Sequence, residues 1–543
     1  MTPSQKQNPM SCNGMVTSPH YLASQAGLDI LRRGGTAVDA AVATAATLSV
    51  VYPHMCTLGG DNFWLIYNAR TGELKALNAS GRAGEKANIE VYRSRGLAYV
   101  PERGPLAANT VPGAVSGWDA AWQYSRSALG STQSFAALLE TARELAERGF
   151  PVSEALAFWS RTDTDPSDQE SHNLQQYPGF AAAFLKPNGK PYGVGEILRQ
   201  PDLAVTLGLL ADKGADEFYK GSIAAMVEKD CPLLTARDFA RHKADWVDPI
   251  SVPYRDCLAY NVPPNTQGMA SLEVLNILNN FNISEIEEGS ADYCHLIVEA
   301  TKEAFLDRNT YLSDPDFVDI PLERLLSKEH GRQQAARIRM DRAADKLGLL
   351  EPKGDTIWLG VVDRAGNAVS LIQSIYHDFG SGMVPRGTGV LLQNRGYAFS
   401  LDPAHVNCLK PGKRTAHTLN PAMLFKNGKP FLVYGTMGGE GQPQTQAAIV
   451  TRILDYGMTP QQAIDAPRWA YARKLRAPVN DLRLESRIPK EVADELARRG
   501  HIIRMEGAYS DVMGHAGAIL IDQTTGVLKG GTDPRCDGLA CGY

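Results

Sequence analysis

The chain has 543 residues, 43% hydrophobic and 21% charged, and its 55 Lys+Arg against 60 Asp+Glu leave a net charge of −5. That excludes a disordered chain, which carries less apolar material and more net charge. It also argues against nucleic-acid or anionic-membrane partners, which need clustered positive charge.

In chain order, the apolar face of Leu22, Ala26, Leu28, Ile30 and Leu31 predicts a helix over 20–33, stopped by Gly34-Gly35. A small, apolar helix follows over 37–50, then a hairpin of strands 63–67 and 74–77. The region 132–317 reads as mainly helical, most clearly at 134–148, 204–213, 271–280 and 293–310. Residues 322–350 form a charged, helix-like connector. Strands are then predicted over 356–362, 368–375, 389–393, 422–426 and 430–434, the last two joined by Asn427-Gly428. Helices near 445–456 and 459–466 and a hairpin of 516–522 with 526–530 complete the pattern. Helices, central strands and helices again suggest helical layers around packed sheets.

Length alone suggests roughly three or four domains at about 150 residues each. The most apolar stretch, residues 40–51, is shorter than the about 20 residues of a membrane span. The first residues, MTPSQKQNPMSCNG, lack an apolar signal core, so a cytoplasmic location is expected. Eight scattered cysteines without a C-x-x-C pair read as reduced thiols, and eleven histidines without H-E-x-x-H spacing point to no metal.

Two features carry chemistry. Asp355-Thr356 lies where a charged segment meets an apolar strand. A Thr hydroxyl needs a base, and if the bond before Thr356 were cut, its own α-amine, with a pKa near 7.7–8.0, would supply one. A plain strand-starting Thr is the common alternative. The second feature is the run Gly435-Thr436-Met437-Gly438-Gly439-Glu440-Gly441-Gln442. Its backbone N–H groups can face a ligand as an oxyanion hole, or simply form a loop between strand and helix.

The order of several blocks resembles the γ-glutamyltranspeptidase family of N-terminal-nucleophile hydrolases over nearly the whole chain. The blocks are Gly34-Gly35-Thr36-Ala37-Val38-Asp39-Ala40-Ala41, Leu58-Gly59-Gly60-Asp61-Asn62-Phe63, Asp307 through Phe317, Asp355-Thr356 with Val361-Val362-Asp363, Phe379-Gly380-Ser381-Gly382, Gly438-Gly439, Ala466-Pro467-Arg468 and Thr532-Asp533-Pro534-Arg535. The resemblance implies an α/β, four-layer αββα sandwich and self-cleavage between Asp355 and Thr356. Residues 1–355 and 356–543 would then be large and small chains of one fold, paired as a heterodimer, with a dimer of these pairs as a further expectation. It implies Thr356 as nucleophile, Ser374 as a second hydroxyl beside it, Gly438 and Gly439 as the oxyanion pair, and no cofactor or metal.

The chain departs from the family where a γ-glutamyl group would be held. Ser80 stands at the usual Arg position, with Arg82 displaced by two residues. Tyr376, Arg395 and Ala398 replace the Asn, Gln and Asp that hold the substrate ammonium, and His417-Thr418 replace paired serines. Losing a carboxylate and gaining an arginine suits an anion without an α-amine. Arg395, His417, Thr418, Tyr376 and Arg82 are thus the expected substrate-binding residues, with His377 and Asp378 also possible pocket residues. The segment 400–414 is shorter than the family's lid, favouring hydrolysis over transfer. The expected substrate is a small carboxylate-bearing amide, best oxamate. Alternatives are a γ-glutamyltransferase or glutathione hydrolase, a cephalosporin-acylase-like amidase, and a non-catalytic ligand-binding member.

Overall fold

The strand expected over 356–362 runs as Asp355–Val362 and pairs antiparallel with Ala368–Tyr376 across the turn at Asp363. In this computed structural model, which describes residues 8–165, 172–344, 355–471 and 480–543, that hairpin is the centre of a seven-stranded sheet. Its order is Leu539–Gly542, Met15–Ser18, Asp355–Val362, Ala368–Tyr376, Asp61–Asn68, Glu73–Ala79 and Asp245–Val247. A second seven-stranded sheet runs Met10–Ser11, Leu528–Thr532, Ala516–Ile521, Lys429–Thr436, Ala422–Lys426, Cys257–Asn261 and Ile250–Tyr254. Each sheet contains strands from both sides of Asp355, so the segments 1–355 and 356–543 are interleaved parts of one sandwich and not stacked domains.

Side chains alternate across a strand, and strands covered on both faces are apolar on both. Phe63, Leu65, Trp358, Ile372, Met423, Val433 and Ile519 fill the space between the sheets. Trp64, Ile66, Ile357, Leu359, Val361 and Leu371 point the other way, into a core with helices Tyr21–Arg32, Ala37–Val51 and Phe135–Arg148. Leu424, Leu432 and Tyr434 of the second sheet pack on Gly268–Leu278, Ala291–Tyr311 and Gly441–Leu454. The result is four layers, αββα. Helix Ala37–Val51 is buried along its whole length, and a capping box between Thr36 and Asp39 satisfies its first N–H groups.

Trp358 sets the spacing of the two sheets. A Cβ on Gly435 would lie 2.2 Å from its indole, and one on Gly517 2.5 Å, so only glycine lets the second sheet close over it.

Two expectations are corrected and a third is refined. The helical middle contains the strands Asp245–Val247, Ile250–Tyr254 and Cys257–Asn261; the inward residues Val252, Tyr254, Cys257 and Ala259 are too few for periodicity to separate from helix. Residues 389–393 form no strand: Leu392 makes a single bridge with Gly59, and Gln393 N–H donates to the Gly59 carbonyl at 2.9 Å, so the segment pairs with a loop. The connector 322–350 holds the short helices Leu322–Leu325 and Lys328–Ala335, and its last residues lie outside the described ones. Among the described residues no helix is long and apolar enough to cross a membrane.

Candidate active site

Alternation along the strand puts Thr356 on the face of Trp358, toward the second sheet. Its side chain is fully buried, and Oγ1 has no hydrogen-bond partner among the described residues. The ladder slips here: Ile357 pairs with Gln373 but Asp355 with Tyr376. Such a bulge re-aims the residue it carries. Opposite the slip, Ser374 Oγ accepts from the Tyr376 N–H at 2.7 Å and from Arg395 at 3.3 Å. Tyr376 itself has φ +84, a conformation that persists in a non-glycine residue only where its surroundings impose it.

The glycine turn arrives at the same end of the sandwich. The Tyr434 carbonyl accepts from Ser370, the ladder partner of Gly360, and Gly435 lies on Trp358. Continuing one strand therefore carries Thr436 and the residues after it toward Thr356. Gly438 and Gly439 have φ of +125 and +52, conformations that L side chains rarely adopt. Thr436 Oγ1 donates to the Met437 carbonyl at 2.7 Å, and Gly441 N–H to the Gly438 carbonyl at 2.8 Å. A trans peptide points its N–H opposite its C=O, so these two bonds fix the planes that carry the N–H groups of Gly438 and Gly439. Neither N–H donates to a described residue.

A cavity of about 530 Å³ opens beside this turn, its polar end formed by Tyr376, Thr418, His417, Gln267, Arg308 and Glu440. The buried Gln267 amide donates to the Gly439 carbonyl at 2.9 Å and to the Thr418 carbonyl at 2.8 Å, while its Oε1 accepts from Arg308 at 3.1 Å. Arginine only donates, so the amide has a single sensible orientation. Arg308 also pairs with Glu440 and lies on the Phe305 ring. Burial pulls its guanidinium down to about 9.

Arg395 is 1% exposed, behind Tyr376 and Thr418. Its guanidinium stacks 3.9 Å over the Tyr376 ring and donates to Ser374 Oγ and Thr418 Oγ1, each at 3.3 Å. No carboxylate among the described residues lies within ion-pair distance of it; buried Asp61 favours its charge from farther away, but burial outweighs this and lowers it to about 10. Because Thr418 Oγ1 accepts from Arg395, its proton is left to point elsewhere. His417 Nε2 shares a hydrogen bond with Asp61 Oδ2 at 3.2 Å, and its ring packs edge-on against Phe63; burial, then Arg395, hold it well below its usual range. Asp61 Oδ1 accepts from Gly81 N–H, Gly113 N–H and Gln393. Burial nonetheless pushes Asp61 up to about 6.

The structure thus gathers Thr356, Ser374, Tyr376, Arg395, His417, Thr418, Gly438 and Gly439 at one end of the sandwich. Arg82 is not brought there: it pairs with Asp314 at 3.1 Å and Asp316 at 2.7 Å and borders a separate cavity. The displacement by two residues preserves the strand face but sends the long side chain to acidic partners. Ala398 lines the cavity, while His377 and Asp378 sit in an ionic network with Glu102 and Arg103. Sequence reading assigned no role to Asp61, Gln267, Arg308 or Glu440. Two of them stand in quoted motif blocks and one follows Gly439 directly; nothing near Gln267 marks it.

Among the described residues two clusters have donor atoms spaced for a metal, His295/Glu299/His501 and Asp163/His172/Asp378. A protein cation already serves each: Lys302 lies 2.6 Å from Glu299, and Arg103 3.0 Å from Asp378.

The γ-glutamyltranspeptidase family model matches residues 23–543. The chain is 46% identical to the glutathione hydrolase-like YwrD proenzyme of Bacillus subtilis (strain 168), covering 97% of this chain and 98% of that one. It is 42% identical to the oxamate amidohydrolase proenzyme of Klebsiella pneumoniae, covering 98% and 99%. The crystal structure of cephalosporin acylase from Bacillus halodurans superimposes with a TM-score of 0.89 at 38% identity, over 100% of this chain and 98% of that one. The chain therefore belongs to the γ-glutamyltranspeptidase family of N-terminal-nucleophile hydrolases and is an enzyme of the amidohydrolase type.

Proposed function

We propose that the protein cuts itself between Asp355 and Thr356 and then hydrolyses a small amide that carries a carboxylate, with oxamate as the compact representative. In the first reaction Thr356 Oγ attacks the Asp355 carbonyl, the peptide C–N bond breaks as an ester forms, and water releases the ester. The freed α-amine of Thr356 then serves as the base. In the second reaction Thr356 Oγ attacks the substrate amide, the N–H groups of Gly438 and Gly439 stabilise the oxyanion, and ammonia leaves with a proton from the α-amine. Water frees the acid.

The observation that carries the specificity is Arg395. Its buried guanidinium has no carboxylate at ion-pair distance among the described residues, only the longer-range pull of Asp61, and such a charge is costly unless something anionic completes it. It binds the hydroxyl next to the nucleophile strand and, through Thr418 Oγ1, polarises an O–H donor at the cavity wall. The name of the Klebsiella relative supports the same reading. A γ-glutamyl substrate is disfavoured because its ammonium would lie in the field of Arg395, with only Tyr376 and Thr418 between them. The test compares ammonia release from oxamate with cleavage of a γ-glutamyl anilide. Oxamate is expected to react faster; faster anilide cleavage overturns the reading.

A further inference from the structure

The polar end occupies only part of the cavity. Beyond it the walls are mainly apolar, Tyr99, Leu312, Phe399, Leu401 and Val406, with Asn309, Ser400, Asp402, His405 and Asn407 set among them. Phe399, Leu401 and Leu312 are 4%, 5% and 7% exposed yet border open space, whereas Tyr99 stands at the rim, 77% exposed. The chamber is braced from behind. Phe399 and Leu401 belong to a packed cluster with Tyr92, Val100 and Leu409, and Leu312 packs with Met269 and Leu325. Its shape therefore does not depend on a ligand to order it.

A cavity of about 530 Å³ lies in the roughly 300–1,000 Å³ range that buries a drug-sized ligand among apolar walls with a few converging polar groups. Oxamate, a primary amide of a handful of atoms, satisfies the polar end and leaves the apolar chamber empty. Arg395 acts from behind Tyr376 and Thr418, against Ser374 on the nucleophile's own sheet, so a carboxylate held at that wall leaves room for only a short acyl part. The remainder of the substrate must run outward, on the amine side of the scissile bond.

We infer that the outer chamber is a subsite for an apolar, flat substituent on the amide nitrogen, and that the preferred substrates are secondary oxamate-type amides. This rests on the proposed hydrolysis of carboxylate-bearing amides. Atoms balance as before: the Thr356 Oγ–acyl bond forms, the C–N bond breaks, the departing amine takes the proton held by the α-amine, and water releases the acid. The chamber's contribution is burial of apolar area, which discriminates by roughly ten- to a few-hundred-fold for such groups.

The experiment measures steady-state hydrolysis of oxamate, N-phenyloxamate and N-carboxymethyloxamate, with γ-glutamyl anilide alongside. The expected result is a KM for N-phenyloxamate at least about tenfold below that for oxamate, with no such gain for the N-carboxymethyl compound. Tyr99→Ala, at an exposed position where folding is not at stake, is expected to shrink the N-phenyl preference about fivefold. Cleavage of oxamate with equal or weaker use of N-phenyloxamate overturns the subsite while leaving the proposed function intact. Cleavage of the anilide alone overturns both.

Discussion

Gln267 and Gly439 are joined by a 2.9 Å hydrogen bond from the Gln267 amide to the Gly439 carbonyl, and the same amide holds the Thr418 carbonyl at 2.8 Å. One side chain thus ties the proposed oxyanion turn to the segment that receives Arg395. Gln267→Glu would turn a carboxylate against two carbonyl oxygens. It is expected to lower kcat about 10²-fold, the size of losing one oxyanion donor, with a smaller change in KM. Single-turnover and steady-state kinetics of the folded variant check this; a change confined to KM would remove Gln267 from positioning the turn.

Thr356→Ala is expected to remain a single 58.9 kDa chain without hydrolase activity. The parent is expected to separate on a denaturing gel into chains of about 38 and about 20 kDa, in proportion to their share of the 543 residues. An active Thr356→Ala would remove the nucleophile assignment.

Arg395→Gln keeps a donor for Ser374 and Thr418 but removes the charge. Losing the charge that polarises the Thr418 hydroxyl at the cavity wall is expected to raise KM for oxamate by about tenfold. The change breaks no ion pair at contact distance among the described residues and relieves a buried charge, but it withdraws the support Arg395 gives ionised Asp61, so the melting temperature is expected to shift little. Unchanged kinetics would return Arg395 to a packing role, and thermal melts with KM measurements decide it.

Asp61 is fully buried and its carboxyl is raised from 3.8 to about 6. A raised folded-state pKa favours the protonated form in the fold. Its stabilising share is fully present below about pH 4 and is lost as pH rises through about 6, amounting to about 3 kcal/mol at 1.36 kcal/mol per unit. Asp61→Asn removes this proton linkage. The stability of the variant relative to the parent is therefore expected to improve progressively from pH 4 to pH 7, measured by urea unfolding at each pH. A difference independent of pH would show that Asp61 does not titrate in that window.

Much of the architecture was legible because it repeats at short range. The helices over 20–33 and 37–50 and the hairpins at 63–77, 356–375 and 422–434 carry their own periodicity and turn residues, and local pattern is enough to place them. The segment 250–261 was missed although Pro253 within it disfavours a helix, since a few alternating residues around Arg255-Asp256 do not announce a strand until they meet Ala422–Lys426. Residues 389–393 misled for the opposite reason: an apolar run promises a strand, but only a neighbour decides whether it has one to pair with.

The same division holds at the site. By itself the sequence determined the order of blocks, the Asp355-Thr356 junction, the glycine turn and the replacement of an acid by Ala398 and an amide by Arg395, because these are identities of residues at positions. Only the tertiary structure decided which long side chains reach the site. Arg82 and Arg395 are both arginines beside family motifs, yet Arg82 finds Asp314 and Asp316 while Arg395 is left over the Tyr376 ring without an ion-pair partner among the described residues. Asp61, Gln267 and Arg308 act through partners hundreds or tens of residues away, at 356, 172 and 41 positions of separation. Hydrogen bonds and charge pairing are satisfied in space, and a chain read in one dimension does not contain those distances.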